Sequence, residues 1–285
     1  MPKKRFIYTS VCAMAALLIN ACDNFSKKEK SPPGYNLNKP DKFNMPNSLL
    51  EISGIAFYNG NPDTVYAIQD EEGKLFRLGW GEKKHSNTRF GKKGDYEDVA
   101  ILKGQVIILK STGTLYSFPH SDAVYEEPDS AMEWKNLVPK GEYEGMYGDE
   151  AAGKLYILCK NCDGDDDKVT GYILDVGDAM RPSAEFSINV AEIKPFTGKV
   201  KSGFRPSALA KNPVTGEWFI LSGTNKLLVI ADANWKVKEA FPLSGNDFNQ
   251  AEGMAFDAAG NLYISNEGDD ISNGNILKFV RKVSK

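Results

Sequence analysis

The sequence has few of the residues that many functional classes require. Its 285 residues include two histidines and four cysteines, and lysine plus arginine (35) do not outnumber the acids (38). A net charge of −3 without a basic stripe argues against a nucleic-acid partner. No glycine-rich phosphate loop, zinc-protease helix signature or serine motif with a nearby histidine is present, which argues against those catalytic classes. Sustained helical periodicity is missing as well.

The N-terminal residues have the layout of an exported protein. A basic start precedes an apolar run over residues 6–19, which is shorter than the roughly 20 residues that span a bilayer. Residues 19–22 resemble a bacterial lipobox, so residues 1–21 are predicted to be a signal peptide and Cys22 to carry the acyl chains, palmitate included. Lipidation would hold the protein on a bacterial membrane in the cell envelope, facing outside the cytoplasm. The polar residues 22–34 are predicted to be a flexible tether.

Few metal-ligating residues remain in the folded part. The spacing of Cys159 and Cys162 suits a redox pair, half of a zinc site or a local disulfide, and export favours the disulfide. His85 and His120 are isolated in loop-like sequence and are predicted to be surface residues rather than zinc ligands. The acidic run 163–167 begins like a calcium loop but lacks the glycine and distal glutamate of an EF-hand, so it is predicted to be a solvated loop.

A short motif recurs five times and indicates a repeat protein. A polar or acidic residue is followed by a small or acidic residue, an apolar residue and usually alanine. The copies lie at residues 53–56, 97–100, 144–147, 207–210 and 252–255. The interval is roughly 45 residues, or about 60 between the third and fourth copies, and such periods are typical of propeller blades. Each motif is followed by short β-rich runs separated by turn residues.

These repeats predict an all-β fold, a single β-propeller over residues 35–285 with five four-stranded blades. A sixth blade would fit if the long third interval contained one. The last repeat reaches the end of the sequence before its fourth strand. We expect an N-terminal strand at residues 35–37 to supply it and close the ring, because closure removes unpaired strand edges.

Four segments resemble the SdiA-regulated domain family. They are residues 51–56, 143–146, 250–257 and 260–267. The resemblance extends over most of residues 45–280 and implies an exported or membrane-associated β-propeller, distantly similar to propeller phytases and gluconolactonase-like proteins. It implies no known reaction. The chain departs from the family at Lys110 and Lys160, where the family tends to place an acid after the second strand.

The repeats also predict a polar site at one end of the channel. In a propeller the innermost strand starts at the rim where the second strand ends, so their side chains meet near the axis. Repeats two and three can form Glu-Lys pairs there, whereas repeats five and one bring acids together without a basic partner. Such carboxylates repel one another, and calcium prefers six to eight oxygen ligands. The predicted calcium ligands are Glu51, Asp70, Glu252, Asn266 and Glu267. The predicted polar ring of the channel is Ser53, Glu97, Lys110, Glu144, Lys160, Arg205 and Ser207.

More than one role suits such a rim. The acids could cap backbone N–H groups and hold neighbouring blades together. The favoured function is a membrane-tethered binding module for a protein or small-molecule ligand, with calcium in its channel. The alternative is a metal-dependent hydrolase, lactonase- or phosphatase-like, in which a cation polarises the substrate and Glu97, Glu144 or Glu252 acts as the base.

Overall fold

The chain forms five four-stranded antiparallel sheets, the blades of a propeller. The computed structural model describes residues 30–82, 84–162, 167–197, 203–243 and 247–282. Blade 1 contains β2 (Ile52–Ala56), β3 (Val65–Gln69), β4 (Lys74–Leu78) and β5 (Ser86–Arg89). Blade 2 contains β6 (Tyr96–Leu102), β7 (Gln105–Lys110), β8 (Leu115–Pro119) and β9 (Met132–Trp134). Blade 3 contains β10 (Glu142–Asp149), β11 (Lys154–Asn161), β12 (Lys168–Val176) and β13 (Met180–Asn189). Blade 4 contains β14 (Ala208–Lys211), β15 (Trp218–Ser222), β16 (Leu227–Ala231) and β17 (Val237–Pro242). Blade 5 contains β18 (Ala251–Phe256), β19 (Leu262–Asn266), β20 (Asn275–Phe279) and β1 (Asp41–Asn44).

The innermost strands surround a central channel. In order they are β2, β6, β10, β14 and β18, and each contacts the innermost strand of the next blade, with β18 contacting β2. The five recurring motifs therefore lie at equivalent places around one axis. The predicted five-bladed propeller is confirmed, and the long third interval does not hold a sixth blade. Its extra length goes into the long strands of blade 3 and the segment that leads to β14.

The N-terminal strand that closes the ring lies later in the chain than expected. The strand that pairs with β20 is Asp41–Asn44, with Asp41 opposite Lys278 and Asn44 opposite Asn275. The expected segment, residues 35–37, is not a strand. Its Tyr35 is buried between blades 4 and 5, where the hydroxyl donates to the carbonyl of Gly260 at 2.7 Å. The apolar character of Tyr35 and Leu37 thus serves packing rather than strand pairing.

The hydrophobic core is divided into layers between adjacent blades. Each of five buried clusters joins two neighbouring blades, as Leu158 and Ile188 of blade 3 pack with Trp218 and Ile220 of blade 4. Buried apolar surface therefore holds each blade to its neighbours. All strands that the structure describes in the five sheets and the closure lie between residues 41 and 279.

Helical structure is short throughout the described residues. The 3-10 helices are Asn47–Leu49, Tyr58–Gly60, His120–Val124 and Val190–Glu192, and the one α-helix described, α1, is Lys194–Thr197. Within the described ranges, no helix has the length and apolar character needed to cross a bilayer. The predicted signal peptide and Cys22 lie outside the described residues, as does most of the acidic run 163–167.

Candidate functional site at the acidic end of the channel

The starts of the innermost strands surround a polar cavity at one end of the channel. Its volume is about 240 Å³. The lining residues are Ser53, Asp70, Asp95, Glu97, Glu142, Glu144, Lys160, Glu252 and Glu267. We call this cavity the acidic pocket, since seven of those nine residues are acids and one is a lysine.

A β-bulge at the same place in the blades aims the motif's first residue into the acidic pocket. In blade 2, Tyr96 pairs with Lys110 and Asp98 pairs with Leu109, which leaves Glu97 as the extra, unpaired residue. Glu144 and Glu252 are skipped in the same way in blades 3 and 5. A bulged residue breaks the alternation of the strand and can turn its side chain toward the axis. The recurring motif is therefore the sequence of a bulge as well as of a strand.

The residues after the second strands form the other part of the wall. The backbone N–H groups of Asp70, Ser111 and Glu267 donate to the carbonyls of Glu51, Asp95 and Gln250, so these three residues are equivalent. Lys110 is one position earlier, and its side chain lies on the other face of the strand, with Nζ 5.6 Å from the centre of the Tyr96 ring. The residue at the rim in blade 2 is Ser111, whose hydroxyl donates to Asp95. Among the described residues, Glu97 and Lys110 consequently do not form the ion pair that the sequence predicts.

The structure brings some predicted calcium ligands together and separates others. Asp70, Glu252 and Glu267 line the acidic pocket, and Glu51 does not. The negative charge of Glu51 is nevertheless close enough to raise the pKa of Asp70. Asn266 is fully buried within blade 5, where its Nδ2 donates to Asn275 Oδ1 at 3.1 Å.

The predicted polar ring is likewise only partly assembled. Ser53, Glu97, Glu144 and Lys160 line the pocket, whereas Arg205 and Ser207 of blade 4 do not. The Ser207 hydroxyl donates to the carbonyl of Ala251 at 2.9 Å and so ties blade 4 to blade 5. Blade 4 therefore contributes a structural contact rather than a wall residue.

Two acids that sequence reasoning missed complete the wall. Asp95 and Glu142 each stand two residues before a motif glutamate, Glu97 and Glu144 respectively. An acid at the same spacing before two of the motif glutamates was a usable signal in the sequence. The recurring motif begins at the glutamate, so the acid two residues before it lies outside the repeat pattern.

Burial and repulsion between carboxylates raise the pKa values of four carboxyls in the acidic pocket, those of Asp70, Glu97, Glu252 and Glu267. Burial is the largest cause in each case, and neighbouring carboxylates add to it. The pKa of Glu97 is raised to about 9 and that of Glu252 to about 8. The pKa of Glu267 is raised to about 7 and that of Asp70 to about 6. The pocket as it stands therefore holds protons near neutral pH.

Charge is balanced on one side of the acidic pocket only. In blade 3, Lys160 Nζ forms an ion pair with Glu144 and lies 3.5 Å from Glu142 Oε1. The pocket acids of blades 5 and 1, which are Glu252, Glu267 and Asp70, have no ion pair among the described residues. Glu267 accepts a hydrogen bond from Gln250 at 2.8 Å. No three His, Cys, Asp or Glu side chains in the described ranges are grouped closely enough to hold a metal ion without rearranging.

The cysteines and histidines lie outside the pocket wall. Cys159 and Cys162 are joined in a disulfide that brackets Lys160. His85 Nε2 lies 2.7 Å from Ser48 Oγ, and His120 Nε2 lies 2.7 Å from the Tyr66 hydroxyl. Both histidines are half-buried rather than fully exposed. Neither lines the acidic pocket.

Comparison with known proteins supports the family and the fold. Residues 188–269 match the SdiA-regulated family model, which confirms the resemblance over this part of the chain. No relative was found among curated proteins. Glutaminyl cyclase of Myxococcus xanthus is similar in structure, with a TM-score of 0.58, 12% identity and coverage of 86% of this chain and 96% of that one. PQQ-bound aldose sugar dehydrogenase of Streptomyces coelicolor has a TM-score of 0.53 and 12% identity over 88% of this chain and 100% of that one. A luciferin-regenerating enzyme has a TM-score of 0.52 and 11% identity, covering 86% and 98%. Such identities show a shared fold alone.

Proposed function

We propose that the protein is a membrane-tethered lipoprotein propeller that binds a cation in the acidic pocket, with Ca²⁺ as the first candidate, and presents this face to a partner. The observation that carries the proposal is the convergence of seven carboxyl groups and one ammonium group in a cavity of about 240 Å³. The carboxyls come from blades 1, 2, 3 and 5. Such a wall is unfavourable unless protons or a cation offset the repulsion.

Calcium suits the side of the pocket formed by blades 5 and 1. Asp70, Glu252 and Glu267 offer carboxylate oxygens there, and water would complete a coordination shell of six to eight. Asp70 Oδ1 is buried without a hydrogen-bond partner among the described residues, so it has an unused lone pair. Because the described side chains are not grouped as a metal site, binding would require these carboxylates to move.

The described part of the predicted tether runs along blade 4, where Lys30 Nζ lies 3.4 Å from Glu239 Oε1 and 5.7 Å from the centre of the Phe241 ring. Tyr35 is held by Gly260 in the β18–β19 turn, and this turn lies at the end where the innermost strands finish. Residues 22–30 reach at most about 28 Å when fully extended. With Cys22 lipidated, a tether of this length would keep the propeller close to the membrane surface.

A metal-dependent hydrolase is the second candidate. The observation in its favour is that Glu267, whose pKa is raised to about 7, lines an open pocket, since a general acid or base works best near the ambient pH. Three structural neighbours are enzymes by name, although identities of 11 to 12% carry no activity over. A phosphatase-like site would need a free cationic side chain, whereas Lys160 is already paired with Glu144.

The cation can be tested by thermal unfolding of the chain from residue 23 in EDTA and in Ca²⁺. We expect Ca²⁺ to raise the Tm by several degrees in the parent, and the rise to disappear in the double variant Glu252→Gln, Glu267→Gln. Glu150→Gln is the matched control, because Glu150 lies at the other end of the channel. An equal shift in the double variant, or none in the parent, would contradict the proposal. Turnover of lactones or phosphomonoesters that Glu267→Gln abolishes would favour the hydrolase.

The lipid anchor has its own test in the full-length chain expressed in bacteria. Incorporated palmitate should be lost in Cys22→Ser and retained in Cys12→Ser, which changes a cysteine of the leader. Palmitate retained in Cys22→Ser would exclude the anchor without bearing on the acidic pocket.

A further inference from the structure

A second cavity, of about 410 Å³, lies at the opposite end of the channel. It is formed where the innermost strands finish and by the turns that follow them. Apolar side chains from all five blades supply most of its walls, and we call it the apolar cavity. They are Ile55, Phe57, Val99, Ile101, Met146, Leu209, Met254 and Phe256. Nothing in the cation-binding proposal uses this space.

A layer of packed side chains separates the two cavities. The third residue of each motif forms this layer, and all five are at most 3% exposed. They are Ile55, Val99, Met146, Leu209 and Met254. The apolar cavity and the acidic pocket have no lining residue in common. The layer closes the floor of the apolar cavity, so a molecule enters it only from the end of the channel at which the innermost strands finish.

The charged groups at its rim already have partners. Lys211 Nζ lies 3.0 Å from Asp149, and Glu150 lies 3.6 Å from Lys103 Nζ. Asp257 accepts hydrogen bonds from Asn261 and from the Tyr263 hydroxyl at 3.0 Å. A charged ligand would lose its hydration without gaining an ion pair, which favours a neutral one.

Tyr147 gives the cavity one polar group. Four of the five motifs have alanine at their fourth position, and blade 3 has Tyr147 there. The ring lines the cavity and packs edge-on against Trp218, and no hydrogen bond to its hydroxyl is found in the described part of the chain. Burial raises the pKa of Tyr147, so its hydroxyl stays protonated and available.

We propose that the apolar cavity is a second binding site, for a neutral and mainly apolar small molecule that hydrogen-bonds to the Tyr147 hydroxyl. Its volume falls within the range of about 300 to 1,000 Å³ seen for small-molecule pockets. Burial of apolar ligand surface supplies the affinity, and the closed floor limits the occupant to the size of a few rings.

The test uses the chain from residue 23 and N-phenyl-1-naphthylamine, a neutral probe whose fluorescence rises in apolar surroundings. We expect saturable binding of one probe per chain. Ala258→Trp should weaken binding at least tenfold, because Ala258 is exposed and lines the mouth. Ala259→Trp is the matched control, since Ala259 is exposed in the same turn but does not line the cavity, and its affinity should stay within twofold.

Two further measurements separate this site from its alternatives. Tyr147→Phe should weaken binding about fivefold, the effect of one hydrogen bond. Calcium and the double variant Glu252→Gln, Glu267→Gln should leave probe affinity unchanged, so the apolar site can fail while the cation site stands, and the reverse. The proposal is overturned by a lack of saturable binding, or by equal affinity of the two tryptophan variants. It is equally overturned by a dimer in sedimentation that excludes the probe.

Discussion

The two ends of the central channel are built from the same five strands and have opposite chemistry. At the end where the strands start, bulges turn Glu97, Glu144 and Glu252 toward the axis. Four residues later the regular strand has resumed, and the wall is apolar with its charges paired. One recurring motif therefore encodes both ends of the channel. The bulge determines which of its side chains face the axis at the acidic end, and the regular strand after it determines which face the axis at the apolar end.

The largest expected effect is the loss of stability when a substitution disrupts the packing between the acidic and the apolar ends of the channel. A Cβ at Gly54 would lie 2.4 Å from Asp98 Oδ1 and 2.5 Å from Asp98 Cα, and Asp98 accepts the N–H groups of Val99 and Met146. Gly54→Ala should lower the free energy of unfolding by about 3 kcal/mol through overpacking. Urea unfolding measures it. Gly177→Ala, where a Cβ meets nothing within 4 Å, is the control, and equal losses would refute the role of Gly54.

The second effect is a pH dependence that belongs to the acidic end. Raised pKa values in the folded state, about 6 for Asp70 and about 9 for Glu97, mean that the native protein binds more protons than the unfolded one. Stability should therefore be greatest near pH 4 to 5 and fall as the pH rises to 9 in EDTA, by at most about 1.4 kcal/mol per pH unit for each group.

Two variants test whether the acidic pocket causes the fall in the free energy of unfolding with rising pH. Glu97→Gln should flatten the fall between pH 5 and 9, whereas Glu150→Gln at the apolar end should leave it unchanged. Chemical unfolding at several pH values measures both. A parent whose stability rises with pH over this range would show that the pocket carboxyls ionise normally.

The third effect concerns the balanced side of the acidic pocket. Lys160→Met leaves the buried Glu144 without its ion pair, so the free energy of unfolding should fall by about 2 kcal/mol at pH 8. The loss should be smaller at pH 5, where Glu144 can take up a proton. The same change should strengthen Ca²⁺ binding severalfold, because it removes a positive charge from the wall. Lys211→Met at the apolar end is the control, and calorimetry that finds equal Ca²⁺ affinities in both variants would contradict the comparison.

The smallest effect is expected from the disulfide that brackets Lys160. The chain from residue 23 contains only Cys159 and Cys162, so thiol titration of the unfolded, unreduced protein should find no free thiol. Replacing both by serine should cost about 1 to 2 kcal/mol, because the bond closes a very short loop. Two titratable thiols in the unreduced protein would show that the bond does not form.

Much of the architecture could be predicted from the sequence, and the errors have local causes. Alternating apolar runs and turn residues located the strands closely, as with the expected 262–265 and the observed Leu262–Asn266. The sequence predicts the ring-closing strand too early in the chain. Tyr35 and Leu37 are apolar because they pack between blades, and they do not belong to a strand. Lys110 was placed at the rim because a one-residue difference in register is invisible in a short strand, yet it moves the side chain to the other face.

Local periodicity and composition are sufficient to predict five repeats, their four-stranded units and an acid at the start of three of the five motifs. Which acids share a cavity depends on the fold of the whole chain. The fold adds Asp95 and Glu142, removes Lys110, and leaves Lys160 as the one cation among the described residues that line the acidic pocket. The physical reason is that bulges and strand register orient a side chain, and both are fixed by pairing with residues distant in the chain.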